Sequence, residues 1–109
     1  DLCRNVQERS SQLFSGLNDL KNKYNCIADV RGLGLYAGVE LVTSSELMTP
    51  APLLAKKVVE QMKSMGILLN TNGYDNNIIK IKPPLIIGSH DIARLLECLG
   101  QVLHRLVSD

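Results

Sequence analysis

The sequence lacks the features that mark several classes of protein. Its 109 residues carry 12 basic and 11 acidic side chains, a formal net charge of +1. This balance gives no electrostatic reason to expect a nucleic acid or a membrane as a partner. No apolar run approaches the roughly 20 residues of a transmembrane helix. The first residues lack a basic start followed by an apolar stretch, so we do not expect them to be a signal peptide. Because the chain does not begin with methionine, we expect it to be processed or cut from a longer one.

Cysteine and histidine are also scarce. Cys3, Cys26 and Cys98 are odd in number and widely spaced, so we expect reduced thiols rather than a disulfide framework or a metal knuckle. His90 and His104 stand about 21 Å apart along one predicted helix, too far to share a metal ion. The predicted protein therefore has no metal site. Reduced thiols also lead us to expect an intracellular protein, in the cytoplasm or the mitochondrial matrix, because both compartments are reducing.

Three stretches have the three- and four-residue apolar spacing of amphipathic helices. The first covers residues 2–24. The second has Thr49 as its N-cap and Pro50 in its first turn, and it ends at Gly66. The third begins with Ser89 as its cap. Helices therefore account for more than a third of the predicted chain.

Four shorter stretches predict β-strands, with alternating apolar residues clearest in the second; they are residues 27–30, 35–41, 67–69 and 78–82. A bend at residues 31–34 and a polar loop at residues 70–77 are short enough for hairpins, which makes the sheet largely antiparallel. The bend, Gly-Leu-Gly, is similar to a phosphate-binding turn. A strand follows it instead of a helix, however, so a hairpin bend explains it better.

Residues 1–109 therefore predict a single α+β domain. It is a two-layer sandwich of about four mostly antiparallel strands with three helices on one face. The other face of the sheet would carry Lys80, Lys82, Glu40 and Tyr36. One interpretation is a solvated face with a lysine–glutamate pair across the strands. The other is a docking or substrate-facing surface, which Gly38 favours because a glycine in mid-strand permits close approach.

Three segments carry a family resemblance: residues 29–41 (DVRGLGLYAGVEL), 65–69 (MGILL) and 77–85 (NIIKIKPPL). In this order they resemble the C-terminal small domain of class III aminotransferases, which are pyridoxal-phosphate enzymes of fold type I. The resemblance covers essentially the whole chain. The form Lys-Ile-Lys-Pro-Pro-Leu looks most like the alanine–glyoxylate aminotransferase 2-like branch. That branch includes phospho-lyases acting on phosphoethanolamine and phosphorylated hydroxylysine.

The resemblance implies that Lys80 and Lys82 bind substrate in a parent enzyme. Ornithine-type members carry arginine where Lys80 stands, and that arginine binds a substrate carboxylate. Lysine lacks the arginine fork but attracts a phosphate, which favours a phosphorylated amine as the substrate. Parents of the alanine–glyoxylate, ornithine or 4-aminobutyrate aminotransferase type stay open as alternatives. A free-standing α+β ligand-binding or interaction module is the third possibility.

The resemblance also places the catalytic groups elsewhere. In this family the lysine that binds pyridoxal phosphate, the aspartate that pairs with its ring nitrogen and the phosphate-binding loop belong to the large domain. We therefore expect pyridoxal phosphate in the parent enzyme, none on this chain alone, and no catalytic residue or activity here. The expected partners are the parent's large domain and a small-molecule amine. The parent is expected to be a homodimer.

Overall fold

The structure, a computed structural model, describes residues 2–43, 46–83 and 88–107. Its elements are α1 (Leu2–Lys23), β1 (Ile27–Leu33), β2 (Tyr36–Leu41), α2 (Pro52–Ser64), β3 (Asn70–Asn72), β4 (Ile78–Ile81) and α3 (Ser89–Val107). The strands form one antiparallel sheet in the order β1-β2-β4-β3. The predicted α+β architecture is therefore confirmed.

One face of the sheet forms the core with the helices. Alternation along β2 and β4 buries the side chains that point to this face, and each helix adds one apolar stripe. Helix α1 packs on β1, α2 packs on the other three strands, and α3 packs against both α1 and α2. The buried cluster includes Leu13, Leu17, Val39, Leu41, Val58, Met62, Ile79, Ile81, Ile92, Leu99 and Leu103. Among the described residues, no helix covers the second face of the sheet.

The β1–β2 hairpin is tighter than the sequence predicts. Strand β1 continues to Leu33, so the predicted bend at residues 31–34 is wrong, and the turn falls on Gly34, whose φ is 61°. Pairing continues through Gly32 because this residue has no side chain. A Cβ there would collide with the carbonyl oxygen of Tyr36 and lie 2.9 Å from the Cα of Ala37. The glycine-rich segment is thus part of a hairpin followed by a strand, with no helix N-terminus for a phosphate.

Helix α2 begins later than predicted. Its N-cap is Ala51 and its first residue is Pro52, so the assignments of Thr49 as N-cap and Pro50 as a first-turn residue are wrong. Pro50 instead forms an antiparallel bridge with Val42. The N–H of Ala51 donates to a carbonyl at the end of β2, at 3.1 Å. These tertiary contacts hold the segment extended, and the helix starts only after them.

The third strand is displaced from its predicted position. Residues 67–69 form no strand, and β3 is Asn70–Asn72, inside the predicted loop. Its partner is β4, with Thr71 opposite Ile79. Because β3 lies at the edge of the sheet, polar residues suit it. The apolar residues 67–69 differ in burial. Leu69 is buried in the core, whereas Leu68 is 80% exposed.

The start of α3 differs by one residue from the prediction. Ser89 is its first helical residue and not its cap. Gly88 precedes it, accepting from the N–H of Ile92 at 3.2 Å and donating to the Asp91 carboxylate at 3.3 Å. Pro84 and Leu85, which carry part of the family resemblance, lie outside the described residues. None of the three described helices combines the length and the hydrophobicity that a membrane span requires.

Candidate functional site

The helix-free face of the sheet carries a row of three residues in register. Arg31 on β1 lies opposite Gly38 on β2, and Gly38 in turn lies opposite Lys80 on β4. Because Gly38 has no side chain, the row encloses a depression of about 400 Å³, also lined by Tyr36 and Asn72. We call it the Gly38 depression. A Cβ on Gly38 would lie 3.2 Å from Ile78, so tight packing within the sheet also favours glycine here.

Arg31 is bound by two carboxylates. Its Nη1 atom is 2.7 Å from Asp29 Oδ2 and 3.0 Å from Glu40 Oε1. These contacts, chiefly the hydrogen bond to Asp29 and then the one to Glu40, raise the pKa of Arg31. The predicted pair between a lysine and Glu40 is therefore wrong, because Glu40 forms its ion pair with Arg31. Sequence reasoning missed Asp29 and Arg31 as a pair, although two residues spaced by two in a strand share one face.

Lys80 contacts an aromatic ring instead of a carboxylate. Its side chain is half-buried, and its Nζ atom lies 5.5 Å from the centre of the Tyr36 ring. This distance is within the range of a cation–π contact. Within the described ranges, the carboxylates on this face are paired with Arg31 and none is paired with Lys80. Lys80 thus lies at the edge of the Gly38 depression, and no acid of the described part neutralises the charge of its ammonium group.

Lys82 does not join Lys80. It follows the end of β4, is exposed, and lines a second depression of about 520 Å³ between residues 66–69 and the start of α3. Arg94 borders the same depression and donates from Nη2 to the carbonyl of Met65 at 2.6 Å. The structure therefore separates the two predicted substrate lysines into different depressions.

The described residues do not match the needs of pyridoxal phosphate. Covalent binding of this cofactor requires a lysine in a protected site, with a carboxylate for the ring nitrogen. Every described lysine is at least partly exposed. Asn77 is the one buried polar residue among those described, and its Nδ2 atom is engaged with the carbonyl of Leu41 at 2.9 Å. The chain therefore offers no enclosed lysine–carboxylate set within its described part.

Metal and thiol chemistry are equally limited. In the part of the chain that the structure describes, no group of three histidine, cysteine or acidic side chains could hold a metal ion. The three cysteines, all described, form no disulfide with one another. Burial raises the pKa of the Cys26 thiol, an effect that a backbone hydrogen bond partly opposes. Thiolate chemistry at Cys26 is therefore disfavoured.

The fold and the site together define a small domain with a helix-covered core and a cationic depression on its open sheet face. Residues 1–103 match the family described as aminotransferase class-III. The chain therefore belongs to the class III aminotransferase family, whose members depend on pyridoxal phosphate. This finding confirms the family resemblance of the sequence.

Two curated relatives cover nearly the whole chain. It is 39% identical over 104 residues to ethanolamine-phosphate phospho-lyase homolog 1 of Caenorhabditis elegans, covering 94% of this chain and 22% of that protein. It is 37% identical over 105 residues to alanine–glyoxylate aminotransferase 2 homolog 2, mitochondrial, of Arabidopsis thaliana, covering 96% and 22%. The chain thus spans less than a quarter of the length of these relatives.

Solved structures of class III enzymes are similar to this chain over nearly its whole length. The fold superposes on an aminotransferase from Bacillus anthracis with a TM-score of 0.88 at 30% identity, covering 96% of this chain and 24% of that one. It superposes on a phospholyase from Arthrobacter in complex with phosphoethanolamine with a TM-score of 0.87 at 29% identity, covering 94% and 24%. These neighbours confirm the α+β fold predicted from the sequence.

Proposed function

We propose that the chain is the C-terminal small domain of a class III pyridoxal-phosphate-dependent enzyme, with Lys80 facing that enzyme's substrate. Family membership supports this proposal, as does the small share of each relative that the chain covers. No helix of the described part covers the sheet face that carries Lys80, so a substrate or a second domain has room to approach. Lys82 stays a prediction as a second substrate-binding cation, from its own depression.

The substrate that we propose is a phosphorylated amine such as phosphoethanolamine or phosphohydroxylysine, and the reaction is that of a phospho-lyase. One observation carries this choice. Two cations line the Gly38 depression, Arg31 is held by two carboxylates, and Lys80 is left for an incoming anion. Lysine is a compact point charge suited to a phosphate, whereas bidentate binding of a carboxylate needs the arginine fork. A relative named a phospho-lyase and a neighbour bound to phosphoethanolamine support the same choice.

An aminotransferase is the second candidate for the parent enzyme. The Arabidopsis relative, named for alanine and glyoxylate, favours it, as does the Bacillus anthracis neighbour. A free-standing ligand-binding or interaction module remains the third hypothesis. For either enzyme, the proposed partners are a large domain that holds pyridoxal phosphate and a small-molecule amine, within a homodimer. The cytosol or the mitochondrial matrix is the proposed compartment, and the Arabidopsis relative is named mitochondrial.

The test of the reaction uses the complete enzyme that contains this domain. Inorganic phosphate release from phosphoethanolamine is measured beside transamination of alanine with glyoxylate. We expect phosphate release to be the faster reaction. Transamination without phosphate release would refute the lyase and leave the aminotransferase.

The test of the domain assignment uses the 109-residue chain itself. The chain is mixed with pyridoxal phosphate and desalted, and the absorbance of retained cofactor is recorded beside that of the complete enzyme. We expect the complete enzyme to retain the cofactor and the chain to lose it, since the described lysines are all exposed in part. Stoichiometric retention by the chain alone would contradict the proposal.

A further inference from the structure

We propose that Arg31 is a positioning residue that keeps Lys80 available for an anion by holding Glu40 away from it. The identity of that anion as a substrate phosphate rests on the proposed function. The partition of charges between Arg31, Glu40 and Lys80 is a property of this chain and is tested without substrate.

Two acidic side chains face each other between β1 and β2. Asp29 on β1 and Glu40 on β2 are paired in the sheet register. Two like charges directly opposite each other destabilise a sheet. A single nitrogen of Arg31 contacts both carboxylates, at 2.7 and 3.0 Å. Arg31 therefore neutralises a repulsion that the strand register would otherwise impose.

Lys80 has two neighbours on β2 that its side chain can reach. Lys80 lies opposite Gly38, so its diagonal neighbours on β2 are Tyr36 and Glu40, two residues to either side. Diagonal neighbours in an antiparallel pair are about 7–8 Å apart, within reach of long side chains. In the structure the ammonium group lies over the Tyr36 ring, and Glu40 turns to Arg31. Lys80 thus has two possible partners, and Arg31 occupies one of them.

The consequence appears when Arg31 is removed. Glu40 then faces Asp29 without a cation between them, and Lys80 is the remaining cation among the described residues that line the Gly38 depression. Attraction to Lys80 and repulsion from Asp29 both drive Glu40 toward the lysine. A Glu40–Lys80 pair would compete with any anion that enters the Gly38 depression. Arg31 therefore acts through Glu40 and need not touch the anion.

The experiment measures how readily the Lys80 amine reacts in the folded chain. Limited acetylation followed by mass spectrometry gives the labelling rate of Lys80 relative to Lys56, an exposed lysine on α2. In Arg31→Gln we expect the relative rate of Lys80 to fall about two- to fivefold, the range that an exposed ion pair supports. In the double variant Arg31→Gln/Glu40→Gln the rate should return to the wild-type value. Circular dichroism confirms that each variant is folded.

Two further variants keep the inference falsifiable. Glu40→Gln alone should leave the Lys80 rate unchanged, because Glu40 is not its partner while Arg31 is present. A severalfold increase in Glu40→Gln would show that Glu40 already pairs with Lys80 and would overturn the inference without any Arg31 variant. Arg4→Gln removes an equal charge from an exposed pair on α1 and should change nothing at Lys80. A loss in Arg31→Gln that Glu40→Gln does not reverse would also overturn it.

Discussion

Replacing Gly16 with alanine tests how closely helices α1 and α3 approach each other. A Cβ at Gly16 would collide with Leu96 Cδ1 and lie 2.8 Å from Leu96 Cδ2. Carbon atoms in contact are normally about 3.5–4.0 Å apart, so the leucine must move. Overpacking of this kind costs about 1–3 kcal/mol, whereas replacing glycine within a helix gains about 1 kcal/mol. We therefore expect Gly16→Ala to lower the free energy of unfolding by about 1 kcal/mol.

The sign of this effect should reverse when the leucine is shortened. Leu96→Ala removes the three atoms nearest to the added Cβ, leaving only the helix-propensity gain of about 1 kcal/mol. Urea denaturation of the four proteins gives a coupling free energy, which we expect to be about 2 kcal/mol. Comparison within each background removes the cost of Leu96→Ala itself. Equal effects of Gly16→Ala in both backgrounds would refute the helix contact.

Three other predictions concern individual residues. Gly32→Ala should lower the free energy of unfolding by about 1–3 kcal/mol, because its Cβ collides with the facing strand. Gly100→Ala on α3 should instead raise the free energy of unfolding by up to about 1 kcal/mol, because its Cβ would lie 3.4 Å from Leu20 Cδ2, an ordinary contact. Similar urea midpoints for the two variants would contradict this. Asn77→Ala should cost about 1–3 kcal/mol through its buried hydrogen bond, and a change below about 0.5 kcal/mol would show that the bond is dispensable. Alkylation of Cys26 by iodoacetamide should be slower than that of exposed Cys3, because burial raises the pKa of the Cys26 thiol. The difference should narrow as pH rises through that pKa and vanish in urea, and equal rates in the folded chain would be inconsistent with burial.

Much of the fold is predictable from short-range pattern. The apolar spacing of α1 and α3 and the alternation along β2 each match one face of the core, because those residues are buried where their period places them. The short-range pattern does not explain Gly16. A glycine weakens a helix in isolation, and the reason for this one is that Leu96 of α3 packs directly against it.

The errors share a physical cause, which is pairing between segments distant in sequence. Pro50 has the character of a first-turn residue, yet its bridge to Val42 delays the start of α2. The polar stretch Asn70–Asn72 has the composition of a loop, yet it pairs with β4 as an edge strand. Such contacts leave little local trace in the sequence.

The candidate site was half predictable. Strand alternation and the family resemblance both predict Lys80. A lysine was expected as the partner of Glu40 instead of Arg31, because β1 was expected to stop before Arg31. Once β1 extends through Arg31, register places that residue beside Glu40.

The most direct measurement is the Michaelis constant for phosphoethanolamine in the complete enzyme that contains this domain. We predict that Lys80→Met raises KM at least about tenfold, because a hydrogen bond to a charged group contributes about 1.5–3 kcal/mol. The matched control is Lys56→Met, which removes the same charge from the exposed surface of α2 and should leave KM within about twofold. A KM for Lys80→Met equal to that of the wild-type enzyme would show that Lys80 is a solvated strand lysine and would contradict the account.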